Sequence, residues 1–335
     1  MPRNPPQLVI RADASRLIGG GHVQRCLSLA ETLRARGWSC ALAASRETPD
    51  IVALPDWLER LDLEDGEPVA PARRCDLLIV DHYDLSADWE SSVRPWCRRL
   101  MVIDDLADRP HDGDLLLDQA AGRTEAAYRP LVPATCRLLL GPAFAILRPA
   151  FAAARSAALA RRAAPGRRIL INFGAADPEN RAGRVLQALA AADQPFDADV
   201  VCGASSDHIP ALAALAATMP GRITVHGQVA AMAALMTTAD LAIGAAGSAS
   251  WERCALGLPA VVLTLADNQA QNARMLDESG AAWSVAPDAA AEAALALLRD
   301  PAALTAMSSR AASLCDGLGA QRVAQAIDEM FATAE

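Results

Sequence analysis

The chain has 335 residues, room for two domains of ordinary size, because single cores stop growing at about 250–300 residues. Its hydrophobic fraction of 52% is rich in Ala, Leu and Val with only 4% aromatics, which suits helices packed on buried strands better than an all-β sandwich. The formal net charge of −9 is the wrong sign for a protein that neutralises nucleic-acid phosphates through a basic face.

Reading from the N-terminus, Leu8-Val9-Ile10 is a short apolar strand followed by a loop, three glycines and a helical stretch that ends near Gly37. Strand-like runs follow at 39–43, 76–81, 100–104 and 115–117. They are continuously apolar rather than alternating, which is the pattern of strands buried on both faces of a parallel sheet. From residue 151 to 166 the pattern gives way to Ala and Arg and ends in Ala164-Pro165-Gly166. A domain boundary is expected there, with residues 1–150 on one side and 166–335 on the other, and the Arg-rich run from Arg161 to Arg168 reads as a solvated linker. The second half repeats the theme, with strands at 168–174, 198–202, 223–225, 241–243 and 260–265. Ligands sit beyond the carboxyl ends of strands in parallel α/β sheets, so two such domains are expected to share an interdomain cleft.

No run reaches the roughly 18–20 apolar residues of a membrane helix and no secretory leader pattern is present, so a cytoplasmic protein without membrane insertion is expected. Eight scattered cysteines without a C-x-x-C suit reduced thiols.

Chemistry-bearing residues concentrate after the strands. The loop from Arg11 to Gly21 carries Asp13, Ser15 and Arg16, and delivers His22 to the start of a helix that also holds Arg25. Glycines there, Gly21 included, let a backbone approach a ligand, and a helix N-terminus disfavours an added positive charge, which suits a general base. Read alone, His22 equally caps the helix. The dinucleotide fingerprint, the Walker loop and the G-x-S-x-G elbow are absent. Asp81-His82-Tyr83 and Asp104-Asp105-Leu106 end two strands; Tyr83 is expected beside a substrate, Asp104 and Asp105 in structural caps. In the second half, Gly244-Ala245-Ala246-Gly247-Ser248-Ala249-Ser250-Trp251-Glu252 runs from a strand through a small-residue loop into a helix, where the Gly247 and Ser248 amides suit a diphosphate and Glu252 suits ribose hydroxyls. Asn268 and Gln269 offer paired donors and acceptors for a sugar, and the loop of Asn172, Phe173, Gly174 and Asp177 completes the set.

Together these stretches resemble the UDP-2,4-diacetamido-2,4,6-trideoxy-β-L-altropyranose hydrolases of pseudaminic acid biosynthesis, relatives of the inverting GT-B glycosyltransferases. The carriers are Arg11 to Ser15 with Gly19-Gly20-Gly21-His22, Asp81-His82-Tyr83, Asp104 to Arg109, Gly141-Pro142, Leu147-Arg148-Pro149, Asp177-Pro178, Trp251-Glu252-Arg253-Cys254, Leu256 to Pro259 and Asn268-Gln269. The resemblance implies an α/β, GT-B-like fold of two Rossmann-like domains, the first catalytic and sugar-binding, the second UDP-binding. It implies that His22 activates water for inverting attack at the anomeric carbon with release of UDP. The substrate contacts would come from Asp13, Gly21, Arg25, Tyr83, Gly174, Gly247, Ser248, Glu252, Asn268 and Gln269. No metal or cofactor is implied; the partner is a UDP-sugar, and a monomer is expected. Ala175-Ala176 departs from the pattern, in which a second glycine and a threonine are frequent. A GT-B glycosyltransferase using a UDP-N-acetyl sugar donor, a 2-epimerase and a non-catalytic nucleotide-sugar sensor are the competing readings.

Overall fold

The apolar runs become strands because they are buried on both faces. In the computed structural model, which describes residues 5–15, 18–63, 74–174, 177–192, 194–203, 206–227, 229 and 231–332, the chain divides into two units. One comprises Met1–Arg148 with Leu318–Glu335, the other Pro149–Gly317. The first unit holds β1 (Gln7–Ala12), β2 (Ser39–Ser45), β3 (Glu59–Leu63), β4 (Cys75–Asp81), β5 (Cys97–Ile103), β6 (Leu115–Asp118) and β7 (Arg137–Leu140). They pair in parallel in the order β3-β2-β1-β4-β5-β6-β7. On one face the helix Gly21–Arg34 packs Val23, Cys26, Leu29 and Leu33 against Leu8, Ile10, Leu77 and Ile79; Val9, Leu78, Val80 and Leu100 fill the other face.

The second unit holds β8 (Arg168–Asn172), β9 (Asp197–Val201), β10 (Ile223–His226), β11 (Leu241–Ala245), β12 (Ala260–Leu263) and β13 (Trp283–Ser284). They form a parallel sheet ordered β10-β9-β8-β11-β12-β13. Each sheet therefore starts in its middle and is built outward in both directions, the doubly wound order that opens a crevice where the chain reverses direction. Those reversals lie between β1 and β4 and between β8 and β11.

Two boundary expectations need correction. The helix Gly319–Ala332 belongs to the first unit and not to a 166–335 domain, because its stripe Ala320, Val323, Ala324 and Ile327 is buried in the core beside Leu29 and Leu33. Gly319 permits this approach: a Cβ there would stand 2.1 Å from the Ala145 carbonyl oxygen. The Arg-rich run is no solvated linker either. The helix Pro149–Arg161 carries straight into it, and Arg162, only 6% exposed, donates to the carbonyls of Met236 (2.7 Å), Thr237 (3.4 Å) and Ala239. Arg161 donates to Thr238 O (3.1 Å) and pairs with Asp240 (2.8 Å), so the two arginines satisfy the end of the helix Met232–Thr238. Burial lowers the Arg162 pKa to about 10, against the pull of Asp240.

Candidate active site

The reversal point of the first sheet sets Ala12 of β1 in register with Asp81 of β4, directly at the entrance to the helix that carries His22. Three glycines make that entrance, each differently. Gly19 sits at φ +74, a left-handed conformation that side-chain-bearing residues rarely adopt. Gly20 lies close to Val52, whose Cγ2 would be 2.6 Å from an added Cβ, whereas an added Cβ at Gly21 meets nothing within 4 Å. Gly21 is therefore not required by packing, and its exposed position leaves the site side of the helix open.

His22 is 8% exposed, with Nδ1 2.5 Å from Asp81 Oδ1. Arg25, one turn further on, donates to the same carboxylate twice, Nε to Oδ2 at 2.6 Å and Nη2 to Oδ1 at 2.7 Å, and reaches Asp105 Oδ2 at 3.4 Å. Burial by itself would raise the Asp81 carboxyl; the Arg25 charge and His22 outweigh it and hold Asp81 well below the usual carboxylate range. An ionised Asp81 can only accept, so the neutral His22 ring carries its proton on Nδ1 and leaves the Nε2 lone pair available as a base. The Tyr83 ring stands edge-on to the imidazole at a centroid distance of 4.6 Å.

Asp13 and Arg25, expected as substrate contacts, both make internal hydrogen bonds in this structure. Asp13 Oδ1 accepts the Ser45 amide (2.7 Å) and pairs with Arg11 (2.8 Å), while Oδ2 takes Arg11 Nη2 (2.9 Å) and His82 Nε2 (3.1 Å). Burial raises its pKa, but His82 and Arg11 prevail and hold it well below the carboxylate range. This network ties the carboxyl ends of β1, β2 and β4 together. Asp104 is structural as expected: it accepts Arg109 (2.9 Å), the Ala107 amide (2.8 Å) and the Tyr128 hydroxyl (2.8 Å). Arg16 lies outside the described residues.

The second unit holds the other predicted residues after β8 and β11, the strands at its own reversal point, and after the neighbouring β12. Gly174, after β8, is exposed at φ +93; Ala175-Ala176 lie outside the described residues. Asn172 and Asp177 are used by the fold, Asn172 Nδ2 donating to Val201 O (3.0 Å) and Asp177 capping the amides of Arg181 and Ala182 at 2.9 Å each. After β11, Ser248 precedes the helix Ala249–Ala255 without capping it by its side chain, and Glu252 lies in the first turn. Gln269 accepts the Leu265 amide (3.0 Å), and its Nε2 would be 3.5 Å from a Cβ on Gly247, so the loops after β11 and β12 are neighbours. Asn268 is exposed beside it.

Two residues gained roles that the strand-end pattern did not assign. Asp81 stood in an Asp-His-Tyr cluster in which only Tyr83 was singled out; the signal was a carboxylate closing an otherwise apolar strand. Arg253, 3% exposed, donates to Ala245 O (2.6 Å) and Ser250 Oγ (2.9 Å), fixing the β11 loop from beneath, and burial lowers its pKa. Among the described residues no cluster of three His, Cys, Asp or Glu is placed to hold a metal ion, and no helix is long and apolar enough to cross a membrane.

Comparison with known proteins adds an independent finding. The Glycosyltransferase family 28 C-terminal domain model matches residues 221–329. An uncharacterised protein of Methanocaldococcus jannaschii is 26% identical over 77% of this chain and 55% of its own length. A UDP-2,4-diacetamido-2,4,6-trideoxy-β-L-altropyranose hydrolase of Campylobacter jejuni is 28% identical over 42% of this chain and 52% of its own. The chain thus spans about half the length of each. The spore coat polysaccharide biosynthesis protein SpsG of Bacillus subtilis is 25% identical over 82% of this chain and 81% of its own. Among solved structures, Acinetobacter baumannii MurG aligns with a TM-score of 0.68 at 18% identity, over 97% of this chain and 100% of that one. A putative UDP-N-acetylglucosamine 2-epimerase of Listeria monocytogenes aligns at 0.61 and 13%, over 99% and 98%. With its two parallel, doubly wound sheets, the chain has the α/β fold of the GT-B glycosyltransferases.

Proposed function

We propose that the chain hydrolyses a UDP-sugar at the anomeric carbon with inversion. The assigned substrate is UDP-2,4-diacetamido-2,4,6-trideoxy-β-L-altropyranose, converted in the cytoplasm to UDP and 2,4-diacetamido-2,4,6-trideoxy-L-altrose for pseudaminic acid and flagellin glycosylation. The observation that carries the proposal is the His22 ring held by ionised Asp81 at 2.5 Å with Arg25 behind it. The similarity to the Campylobacter hydrolase supports the choice of substrate.

In this reading His22 Nε2 takes a proton from water as the water oxygen bonds to the anomeric carbon. The carbon–oxygen bond to the diphosphate breaks, and its electron pair leaves with UDP. Asp81 stabilises the imidazolium that forms. Gly247 and Ser248 amides are assigned to the diphosphate, Glu252 to ribose hydroxyls, and Tyr83, Asn268 and Gln269 to the sugar; Gly21 and Gly174 allow close backbone approach. A GT-B glycosyltransferase is the second reading, favoured by the family model over residues 221–329; the same Nε2 would then deprotonate an acceptor hydroxyl.

The test is incubation with the named UDP-sugar in ¹⁸O-water. UDP release with label in the free sugar is expected. Label in UDP refutes attack at the anomeric carbon, and no release without an added acceptor moves the transferase forward.

A further inference from the structure

The segment that carries Tyr83 is short and lies between a strand end and a helix; the Asp84 amide donates to His82 Nδ1 at 3.1 Å, and His82 Nε2 meets Asp13 Oδ2 at 3.1 Å. Its two carbonyls on either side of Tyr83 are in addition gripped from outside by one guanidinium. Arg109 Nη2 donates to His82 O at 3.0 Å and Nε donates to Leu85 O at 3.0 Å, so both ends of the Tyr83-Asp84-Leu85 stretch hang from one rigid fork. The third arm, Nη1, donates to Asp104 Oδ1 at 2.9 Å and Asp108 Oδ1 at 3.1 Å.

Asp104 is itself fixed. Its carboxylate, 2% exposed with the rest of the residue, accepts the Tyr128 hydroxyl and the amide of Ala107, a non-glycine residue at φ 55. A left-handed alanine persists only where its surroundings over-determine the turn. The β5–β6 loop is thus held in one shape, and that shape aims the Arg109 fork at the two carbonyls flanking Tyr83. The same loop touches the other side of the site, where Asp105 meets Arg25.

We infer that Arg109 is a positioning residue for the active site: by clamping the His82 and Leu85 carbonyls it sets the Tyr83 ring against His22, and so the direction in which Nε2 points. Its role in turnover rests on the proposed function; its role in ring placement does not. Lysine cannot replace it, since an ammonium on a flexible stem cannot span two carbonyls and a carboxylate in one plane.

The test reads ring placement first. In protein labelled with ¹⁵N-histidine, the His22 ring signals are assigned by His22→Gln and followed in Tyr83→Leu, Arg109→Ala and Arg109→Lys. Removing Tyr83 removes its ring current from the imidazole. Both Arg109 variants are expected to move the His22 signals in the same direction as Tyr83→Leu, and Arg109→Ala in the Tyr83→Leu background is expected to add no further shift. Should the alanine variant fail to fold, the lysine variant carries the comparison. His22 signals that stay at wild-type positions in a folded Arg109 variant, while Tyr83→Leu moves them, overturn the inference. With the named UDP-sugar, kcat is expected to fall about 10–100-fold with KM nearly unchanged, as for an ångström-scale misplacement. A rise in KM with kcat unchanged also overturns it. Absence of wild-type turnover removes the proposed function and leaves the ring-signal result standing on its own.

Discussion

Replacing Asp81 with asparagine isolates the charge that the site is built around. The carboxylate accepts from two directions: Oδ1 takes His22 Nδ1 and Arg25 Nη2, and Oδ2 takes Arg25 Nε and the Cys26 thiol at 3.5 Å. An amide cannot satisfy both. With its NH₂ toward His22 it donates to Nδ1 and moves the ring proton to Nε2, which ends the ring's capacity as a base. With its NH₂ toward Arg25 Nε it keeps the tautomer but sets donor against donor. Either way Arg25, 8% exposed, loses its counter-charge except for Asp105 at 3.4 Å. Removing one partner of a buried pair costs about 3–5 kcal/mol, and the retained amide hydrogen bonds place this variant near the lower end. Against a total stability of about 5–15 kcal/mol the variant remains folded. Turnover is expected to fall on the order of 10³–10⁴-fold, as when the aspartate of a Ser-His-Asp triad becomes asparagine. Urea unfolding measures the stability loss, ¹⁵N shifts of the His22 ring read the tautomer, and release of UDP from the proposed substrate reads the rate. In the His22→Ala background the same substitution should cost no further rate. A folded Asp81→Asn protein whose His22 ring carries its proton on Nε2 and which still turns over within tenfold of wild type refutes the base assignment.

Other expectations follow from the same contacts. The adjacent glycines separate packing from function: Gly20→Ala, driven into Val52, should lose about 1–3 kcal/mol in urea unfolding, whereas Gly21→Ala, in open space at a helix start, should keep or gain up to about 1 kcal/mol while turnover drops if a ligand approaches its backbone. Unchanged turnover in Gly21→Ala would remove that residue from the site. Arg162→Ala strips the partners from three carbonyls and should destabilise by about 2–4 kcal/mol without changing the rate per folded molecule. For pH, the sign follows from Asp81 lying below its unfolded value of about 4: its contribution to stability is present above that pH and is lost as pH falls toward the folded value. The stability gap between wild type and Asp81→Asn should therefore narrow between about pH 5 and pH 2, and a gap constant across that range would contradict the assigned ionisation.

What the sequence disclosed and what it withheld divide along a physical line. Central strands such as β1, β4 and β11 are legible because burial on both faces demands unbroken apolar runs. The strands not anticipated, β3, β7 and β13, are all at sheet edges. There one side needs no partner, and Glu59-Arg60-Leu61-Asp62-Leu63 or the two residues Trp283 and Ser284 suffice. The site shows the same division. His22, Tyr83, Gly247 and Gln269 stand out as candidates because polar or glycine residues after an apolar strand are conspicuous locally. That Asp81 would meet His22 was not legible, since it depends on β4 lying beside β1 with Ala12 opposite Asp81, a register that chain-local patterns do not contain. The internal partners of Arg25 and Asp13 were hidden for the same reason: a charged side chain near a strand end is the same letter whatever it meets, and Arg25 meets a carboxylate 56 positions away. The C-terminal helix makes the point at the scale of a domain. Its apolar stripe is plain in the sequence, but a stripe says only that a helix is buried, and the choice of the first sheet as its partner lies in the close backbone approach at Gly319 and in a core it completes with Leu29 and Leu33. Local pattern thus fixes which residues must find partners, and only the order and register of the strands decide which partners they find.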